Sequence, residues 1–233
     1  MKFFAISDLH ISTTADKPMD IFGAGWENYL EKIIADWKEK VSEDDVVFIA
    51  GDLSWAMQLD NAVKDLSLFA TLPGKKIVIR GNHDYWWKSL SRVREALPEF
   101  IVLQNDAVKI GNVVVCGSRG WTVEGANDFT EQDRKLYLRE GERLLLALKA
   151  AEKLREDGDR LVVMIHYPPF NVKRENSIYT DLFEKYGVNA VIYGHLHGKD
   201  CRGDLYRNKN GIDYYLTSCD KLGNKLAEIP IIK

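Results

Sequence analysis

A short β-branched segment at residues 77–79 is followed by Arg80 and Gly81 and then by three consecutive polar residues, Asn82-His83-Asp84. A buried strand has no structural need for such an ending, whereas a reactive site does, because ligands bind beyond the carboxyl ends of strands. We therefore interpret this segment as one wall of a metal site. The remainder of the chain must then supply further ligands.

Other short apolar segments end in polar residues of the same kinds. Together these strand ends carry two carboxylates, one amide and five imidazoles, and the imidazoles are all 5 histidines of the chain. Because ligands collect beyond the carboxyl ends of strands in an α/β sheet, we expect these side chains to converge on the same side of one sheet. They are Asp8, His10, Asp52, Asn82, His83, His166, His195 and His197.

This donor set predicts two divalent transition-metal ions. Mixed oxygen and imidazole donors suit Mn, Fe, Co, Ni or Zn better than Ca or Mg, which prefer oxygen alone. The donors exceed one coordination sphere, and Asp52 is the candidate bridge between two ions. Two ions about 3.5–4 Å apart can lower the pKa of a shared water from ~15.7 toward ~7 and neutralise charge developing on a phosphoryl group. The predicted chemistry is hydrolysis of a phosphate ester, with a hydroxide that bridges the ions as the nucleophile.

The spacing of apolar residues predicts alternating strands and helices in the first part of the chain. Apolar segments at 3–6, 46–50 and 77–79 predict strands, and apolar stripes at 26–37 and 62–72 predict helices between them. This order favours parallel crossovers.

The second part of the chain continues with helices at 88–96 and 180–186 and strands at 161–165 and 190–193. Gly111-Asn112 and Asn210-Gly211 predict hairpin turns. We therefore expect the sheet to turn antiparallel at the first hairpin and the tail of the chain to consist of antiparallel strands. Thr130 with Asp133 marks the start of a long helix that ends before Gly158, and its many charges are most simply a solvated outer face.

The composition is that of an ordinary soluble globular protein, with 45% hydrophobic and 29% charged residues in a chain of 233. No linker divides the chain, so a single domain over residues 1–233 is expected. A net charge of −3 gives no broad electrostatic footprint for nucleic acid or acidic lipid. The 3 cysteines are far apart, which argues against a disulfide framework and a thiolate zinc site. There is no signal-peptide segment and no apolar run long enough for a membrane span, so we expect a cytoplasmic protein without a membrane partner.

The polar strand ends resemble an ordered set of motifs in a known family. They look like the motifs of the calcineurin-like metallophosphoesterases, they extend from residue 8 to residue 197, and their complete order is specific. The resemblance implies a four-layer α/β/β/α sandwich with two central mixed sheets. The motifs are Asp8-x-His10, Gly51-Asp52, Gly81-Asn82-His83-Asp84, His166 and Gly194-His195-x-His197.

The resemblance also implies roles for these residues. One ion is held by Asp8, His10, Asp52 and His197, and the other by Asp52, Asn82, His166 and His195. The residue at the position of His83 protonates the departing alcohol or aids the attack, and a positioned imidazole can contribute about 10²–10⁴-fold as a general acid. Asp84 either orients His83 or holds a nearby backbone turn.

One position departs from two subgroups of this family. Protein serine/threonine phosphatases carry an Asp-Arg-Gly continuation three residues after the bridging aspartate, and purple acid phosphatases carry a tyrosine ligand there. This chain has Trp55 at that position. It therefore resembles neither subgroup.

The substrate predicted from these features is a small-molecule phosphate ester, either a monoester or a diester. Arg80, Arg119 and Trp121 lie beside strand ends and are candidates to clamp phosphate or to stack on a substrate, with packing as the alternative for tryptophan. A nuclease of the same fold would require a basic groove, which makes nucleic acid a poor candidate, and a non-catalytic scaffold is a third interpretation. A loose basic cluster, for which a solvated face is the simpler interpretation, consists of Lys199, Arg202, Arg207 and Lys209.

Overall fold

The computed structural model describes residues 1–126, 128–198, 201 and 203–231. Two β-sheets form its centre, with the strand orders β11-β1-β2-β3-β4 and β5-β6-β7-β8-β10-β9. The prediction that one sheet gathers all the polar strand ends is therefore wrong, whereas the two-sheet sandwich implied by the family resemblance is confirmed. The reason is that the chain leaves the first sheet after β4 and builds the second sheet with new strands.

The first sheet contains the N-terminal strands. β1, β2, β3 and β4 pair in parallel, and the short β11 pairs antiparallel with β1 at the sheet edge. The predicted strands are present, whereas β4 and β11 were not predicted because they have only 3 and 2 residues. The strands are β1 Phe3–Ile6, β2 Val46–Ile49, β3 Lys75–Val78, β4 Phe100–Val102 and β11 Ala227–Glu228.

The second sheet begins and ends with the predicted hairpins. β5 and β6 pair antiparallel, as do β9 and β10, while β6, β7, β8 and β10 are parallel to one another. The tail is thus only partly antiparallel, because β10 also pairs in parallel with β8. The strands are β5 Asp106–Ile110, β6 Val113–Ser118, β7 Arg160–Ile165, β8 Ala190–Tyr193, β9 Tyr206–Lys209 and β10 Ile212–Leu216.

Helices cover the outer face of each sheet. The first sheet packs against α1 (Tyr29–Lys40), α2 (Leu59–Ala70) and α3 (Leu90–Ala96), and the second against α4 (Glu131–Leu154) and α5 (Ile178–Lys185). Alternation along each strand divides the core: Phe4 and Ile6 of β1 face the helices, whereas Phe3 and Ala5 face the other sheet. The layers are therefore α/β/β/α.

The predicted helix boundaries hold to within a few residues, and α4 begins at the predicted capping box of Thr130 and Asp133. Its charges are not all on a solvated face, however, because Glu140 is 1% exposed. Within the described ranges, no helix combines the length and apolar character that crossing a bilayer requires.

Candidate metal centre

The polar ends of five strands meet along one edge of the sandwich. β1, β2 and β3 carry Asp8, His10, Asp52 and Asn82 just beyond their ends, and β7 and β8 carry His166, His195 and His197. The two sheets are joined there by bonds such as Ser7 N–H to the Thr217 carbonyl at 2.8 Å. All seven residues that the sequence predicts as metal ligands are thus brought to the same seam.

The first group consists of Asp8, His10, Asp52 and His197. One ligand atom from each of these residues lies within 4.8 Å of those from all the others. Nε2 of His10 is 3.2 Å from Nε2 of His197 and 3.7 Å from Oδ2 of Asp52. This is a spacing in which one ion can contact all four residues.

The second group adjoins the first at Asp52. Nε2 of His166 is 3.4 Å from Oδ2 of Asp52 and 2.7 Å from Oδ1 of Asn82. The same Asn82 oxygen is 2.9 Å from Nδ1 of His195. Asp52 therefore lies between the two groups, as a bridging ligand would.

The donor atoms fit cations better than they fit one another. Nδ1 of His166 is 2.9 Å from the Ala50 carbonyl and can donate to it only as N–H. Nε2 therefore faces Oδ1 of Asn82 and Oδ2 of Asp52, and it presents a lone pair to these two oxygen atoms whenever the ring is neutral. In the described part of the chain, Oδ2 of Asp52 is buried without a hydrogen-bond partner. Buried polar atoms normally have a partner, and a cation between these donor atoms would supply the one that is missing here.

The pKa shifts of the residues in this site also indicate that it suits a cation. Burial disfavours the charge on Asp52, but the His166 and His10 imidazoles and the His83 N–H hold the pKa of that carboxyl well below its usual range. Burial opposes protonation of His166 too, yet the Asp52 charge raises the pKa of its ring above the usual value. Burial lowers the pKa of His10 and of His195 to about 4, so both rings are neutral at neutral pH, as metal ligands must be.

Four of the predicted ligands have left-handed backbone conformations. The φ angles are 57° at Asp8, 45° at His10, 54° at Asp52 and 69° at His195. A non-glycine residue in this region costs on the order of 1–3 kcal/mol, and such strain collects at functional sites. The turns after β1, β2 and β8 are therefore strained, and this strained backbone sets the direction in which the four side chains point.

The motif glycines are required by close packing of the carboxylates. A Cβ atom on Gly81 would lie 2.1 Å from Oδ1 of Asp52, and one on Gly194 would lie 2.6 Å from Oδ2 of Asp8. Gly51 has a φ of 91°, and its Cβ would lie 2.7 Å from Nδ1 of His166. Each glycine leaves the space that a proposed ligand occupies.

His83 lies beside both groups and is only half-buried. Its backbone N–H donates to Oδ1 of Asp52 at 2.8 Å, and its Nδ1 is 3.1 Å from the Tyr85 hydroxyl. The Trp55 ring packs against two histidines, with its centroid 4.5 Å from that of the His83 ring and 4.7 Å from that of the His10 ring. Burial lowers the pKa of His83 against the opposing effect of Asp52.

Asp84 is fully buried and does not bond to the His83 ring. Its carboxylate accepts hydrogen bonds from the backbone N–H groups of Gly81, Asp52, Leu53 and Ser54, at 2.7 to 3.2 Å. Burial and the nearby Asp52 charge raise the pKa of Asp84 to about 6 despite these donors. Of the two predicted roles, these contacts favour the one in which Asp84 holds the backbone turn.

Sequence reasoning missed the groups that support the ligands. The Ser7 hydroxyl donates to Oδ2 of Asp8 at 2.6 Å. The His195 N–H reaches both carboxylate oxygens of Asp8, at 3.1 and 3.0 Å. A serine next to a ligand carries no distinctive signal, so Ser7 could not have been selected from the sequence.

The three predicted substrate-binding residues lie at the periphery. Trp121 donates from its indole N–H to Asp133 at 3.0 Å and packs on Tyr167, so its ring takes part in packing. The Arg119 guanidinium lies 4.9 Å above the Trp121 ring. Arg80 and Arg119 line a small cavity of about 200 Å³.

The basic cluster lies only partly within the described residues. Lys199 and Arg202 fall outside them, while Arg207 pairs with Asp204 and Lys209 donates to the Arg174 carbonyl.

A larger cavity of about 500 Å³, mostly apolar, opens beside His195 and Tyr167.

Comparison with known proteins places this geometry in context. The family model described as calcineurin-like phosphoesterase matches residues 1–199. No curated protein matches the chain.

Three solved structures illustrate the structural similarity. The chain is similar to a phosphopantetheinyl hydrolase from Mycobacterium tuberculosis, with 16% identity, coverage of 98% of this chain and 95% of that one, and a TM-score of 0.61. For the protein TT1561 of Thermus thermophilus, the identity is 12%, the coverage 99% and 98%, and the TM-score 0.61. For a protein of unknown function from Aquifex aeolicus, the identity is 15%, the coverage is 97% of this chain and 95% of that one, and the TM-score is 0.50. At these identities the structures support the fold alone.

Proposed function

This chain belongs to the calcineurin-like phosphoesterase family, whose members are metal-dependent phosphoester hydrolases, and from that premise we propose that it hydrolyses a small-molecule phosphate ester at a two-metal centre. The observation that carries the proposal is the convergence of Asp8, His10, Asp52 and His197 within 4.8 Å, with Asn82, His166 and His195 adjoining them at Asp52.

The proposed ligands divide into two sets that share Asp52. Asp8, His10 and His197 complete one set, and Asn82, His166 and His195 complete the other. When bound, two divalent ions would lower the pKa of water in the site and neutralise charge that develops on the phosphoryl group. Imidazole donors in both sets favour Mn, Fe, Co, Ni or Zn.

His83 is the proposed general acid. Its Nδ1 lies beside the Tyr85 hydroxyl, so Nε2 is the nitrogen we assign to deliver a proton to the departing alcohol oxygen. The lowered pKa makes the protonated ring a ready donor, and a substrate phosphate dianion beside the ring would favour that protonated form. The Trp55 ring restricts the motion of His83 and excludes water from one side.

Asp84 is proposed to act through the backbone. Its four N–H contacts fix the turn that begins at Asp52 to the turn that begins at Gly81. The carboxylate of Asp52 and the ring of His83 are therefore held in one geometry before substrate arrives, which is the condition for a large contribution from positioning.

The cavity beside His195 is the proposed site for the non-phosphate part of the ester. Its volume of about 500 Å³ falls in the range of small-molecule pockets, roughly 300–1,000 Å³. Tyr167 and Phe170 give it aromatic walls. The net charge of −3 supplies no general attraction for nucleic acid, so a small ester is favoured over a polynucleotide.

The test is turnover by purified protein with added Mn²⁺ on a chromogenic phosphate monoester and diester. We expect hydrolysis of at least one ester, loss of that activity on chelation and its return when the metal is restored. Absence of turnover on both esters, with two ions bound, would instead favour a scaffold. Salt-sensitive binding and cleavage of DNA by the same preparation would favour the nuclease.

A further inference from the structure

Four arginines surround a second cavity, of about 200 Å³, beside the metal centre. We call this cavity the arginine pocket, and define it by Arg80, Arg119, Arg139, Arg143, Glu140 and Ser118. It adjoins the metal centre along the chain, because Arg80 lies two residues before Asn82 and the Arg119 carbonyl accepts the His166 N–H at 3.0 Å.

The positive charge in the arginine pocket exceeds the negative charge. Glu140 is 1% exposed and is the sole acidic residue among the described residues that line the pocket, so four guanidinium groups face one carboxylate. Arg143 makes a close ion pair with Glu140 at 2.7 Å, whereas Arg119 and Arg139 approach the same Oε1 atom only to 3.5 Å. One carboxylate oxygen cannot satisfy three forked donors, and most of their N–H groups remain available for a ligand.

Arg80 adds an independent sign of a missing anion. Within the described residues, its Nε atom is buried and has no hydrogen-bond partner. A buried donor without a partner costs free energy unless a ligand supplies the acceptor.

We propose that the arginine pocket binds one phosphate-class group, at a position separate from the phosphoryl group that is hydrolysed. Several guanidinium groups with a serine hydroxyl match a tetrahedral oxyanion with several acceptor oxygens. The volume lies below the roughly 300 Å³ of a whole-ligand pocket, so the site accommodates a single small group.

Two sources can supply this group. It is either a second phosphate of the substrate, which makes the substrate class a bisphosphate, or free phosphate. The first source rests on the proposed function, whereas binding of free phosphate does not. The half-exposed Arg139 and Arg143 side chains keep the arginine pocket open to solvent for either ligand.

The first experiment titrates metal-loaded protein with inorganic phosphate by calorimetry. We expect two binding sites, one that competes with a chromogenic monoester and one that does not. In R119Q/R139Q, which leaves the close Arg143–Glu140 pair intact, the non-competing site should weaken by about tenfold to a hundredfold, as expected for lost charge-assisted hydrogen bonds. R134Q is the control for the Arg139 substitution, because it removes one positive charge from α4, the helix of Arg139, outside the arginine pocket and should retain both sites.

The second experiment compares alkanediol bisphosphates with the corresponding alkanediol monophosphates over a series of chain lengths. If the substrate supplies the second phosphate, one chain length should give a KM about tenfold lower for the bisphosphate, and R119Q/R139Q should remove that advantage. If free phosphate is the ligand, no chain length shows an advantage while calorimetry still finds the second site.

The outcomes separate the two proposals. A single phosphate site that competes with substrate, unchanged in R119Q/R139Q, would overturn the arginine pocket even if the protein hydrolyses esters. Two sites in a protein without turnover would retain the arginine pocket and overturn the proposed function. If R119Q/R139Q does not fold, R139Q alone, in a half-exposed residue, provides the same calorimetric comparison.

Discussion

The two sheets bring different chemistry to the metal centre. The first sheet carries both carboxylates, Asp8 and Asp52, together with the Asn82 amide and one imidazole ligand, whereas the second carries only imidazoles. Negative charge is therefore concentrated on the first sheet, the first wall of the site, and imidazole nitrogen donors face it from the second sheet, the second wall. Neither wall alone offers the mixed set that transition-metal ions prefer, so docking of the sheets is itself a step in building the site.

Contacts between the walls are as specific as the donors. The Asp8 carboxylate accepts the His195 N–H, and Nδ1 of His166 is 2.9 Å from the Ala50 carbonyl. Behind these contacts, Phe3, Phe48 and Ile77 of the first sheet and Val115 and Met164 of the second form a buried apolar layer. Packing of this layer sets the distance between the walls, which the polar contacts then refine.

Removal of the shared carboxylate should have the largest effect. Asp52→Asn keeps the shape of the side chain but takes away the charge that both proposed ligand sets use. We expect most bound metal to be lost and activity to fall by more than the ~10²–10⁴-fold of a lost general acid. Metal analysis and turnover measure the two effects. The control is Asp36→Asn, which removes a buried carboxylate that bonds to the Leu226 N–H and Lys40.

Full metal occupancy in Asp52→Asn would contradict the contrast drawn between the two walls, because the carboxylates of the first wall would then not be the source of the metal affinity. Loss of metal in Asp36→Asn as well would attribute the effect to general destabilisation.

The first wall also carries a residue that we assign to the substrate rather than to the ions. His83→Ala should keep two ions but lower turnover by about 10²–10⁴-fold, most for esters with a poor leaving group. Rates on a series of leaving groups, with metal content measured in parallel, test this separation. Tyr85→Phe removes only the hydroxyl beside Nδ1 and should have a much smaller effect. Equal losses for good and poor leaving groups would contradict the acid role.

Much of this site could be anticipated from the sequence because strand ends are marked by local signals. Apolar segments that stop at Asp52, Asn82 or His166 identify both a strand and the residue that it delivers. The hairpin at Gly111 and the capping box at Thr130 are local in the same way and were predicted.

Features that depend on distant partners could not be anticipated. The pairing of β10 with β8 and the arrangement of Arg139 and Arg143 around the buried Glu140 arise only after docking. The division into two sheets was implied by the family resemblance and not by the local pattern of apolar residues. Charges on α4 predict a solvated face when the helix is considered alone, because helical periodicity does not reveal which polar residue a neighbouring element will bury.

Close contact between the walls can be tested without touching a donor. In Gly194→Ala, the new Cβ would lie 2.4 Å from Oγ of Ser7 and 2.6 Å from Oδ2 of Asp8, so the first wall must shift. A misplacement of about 1 Å can cost 10²-fold in rate, and we expect a loss of about that size, with weaker metal binding. Gly25→Ala is the control, since a Cβ there has nothing within 4 Å. Normal kinetics in Gly194→Ala would show that the walls tolerate a wider spacing.

Loss of a group that supports a metal ligand of the first wall should have the smallest effect on metal binding. Ser7→Ala leaves every proposed metal ligand in place but removes the hydroxyl that donates to Oδ2 of Asp8 at 2.6 Å and accepts from the Thr217 hydroxyl at 3.2 Å. Partners of metal ligands typically contribute 10–100-fold, and we expect a loss of metal affinity of about tenfold, because the His195 N–H still orients Asp8. Metal titration measures this loss, with Ser67→Ala as the control at an exposed serine. A loss as large as that of Gly194→Ala would mean that orientation of Asp8, rather than the separation of the sheets, limits metal binding.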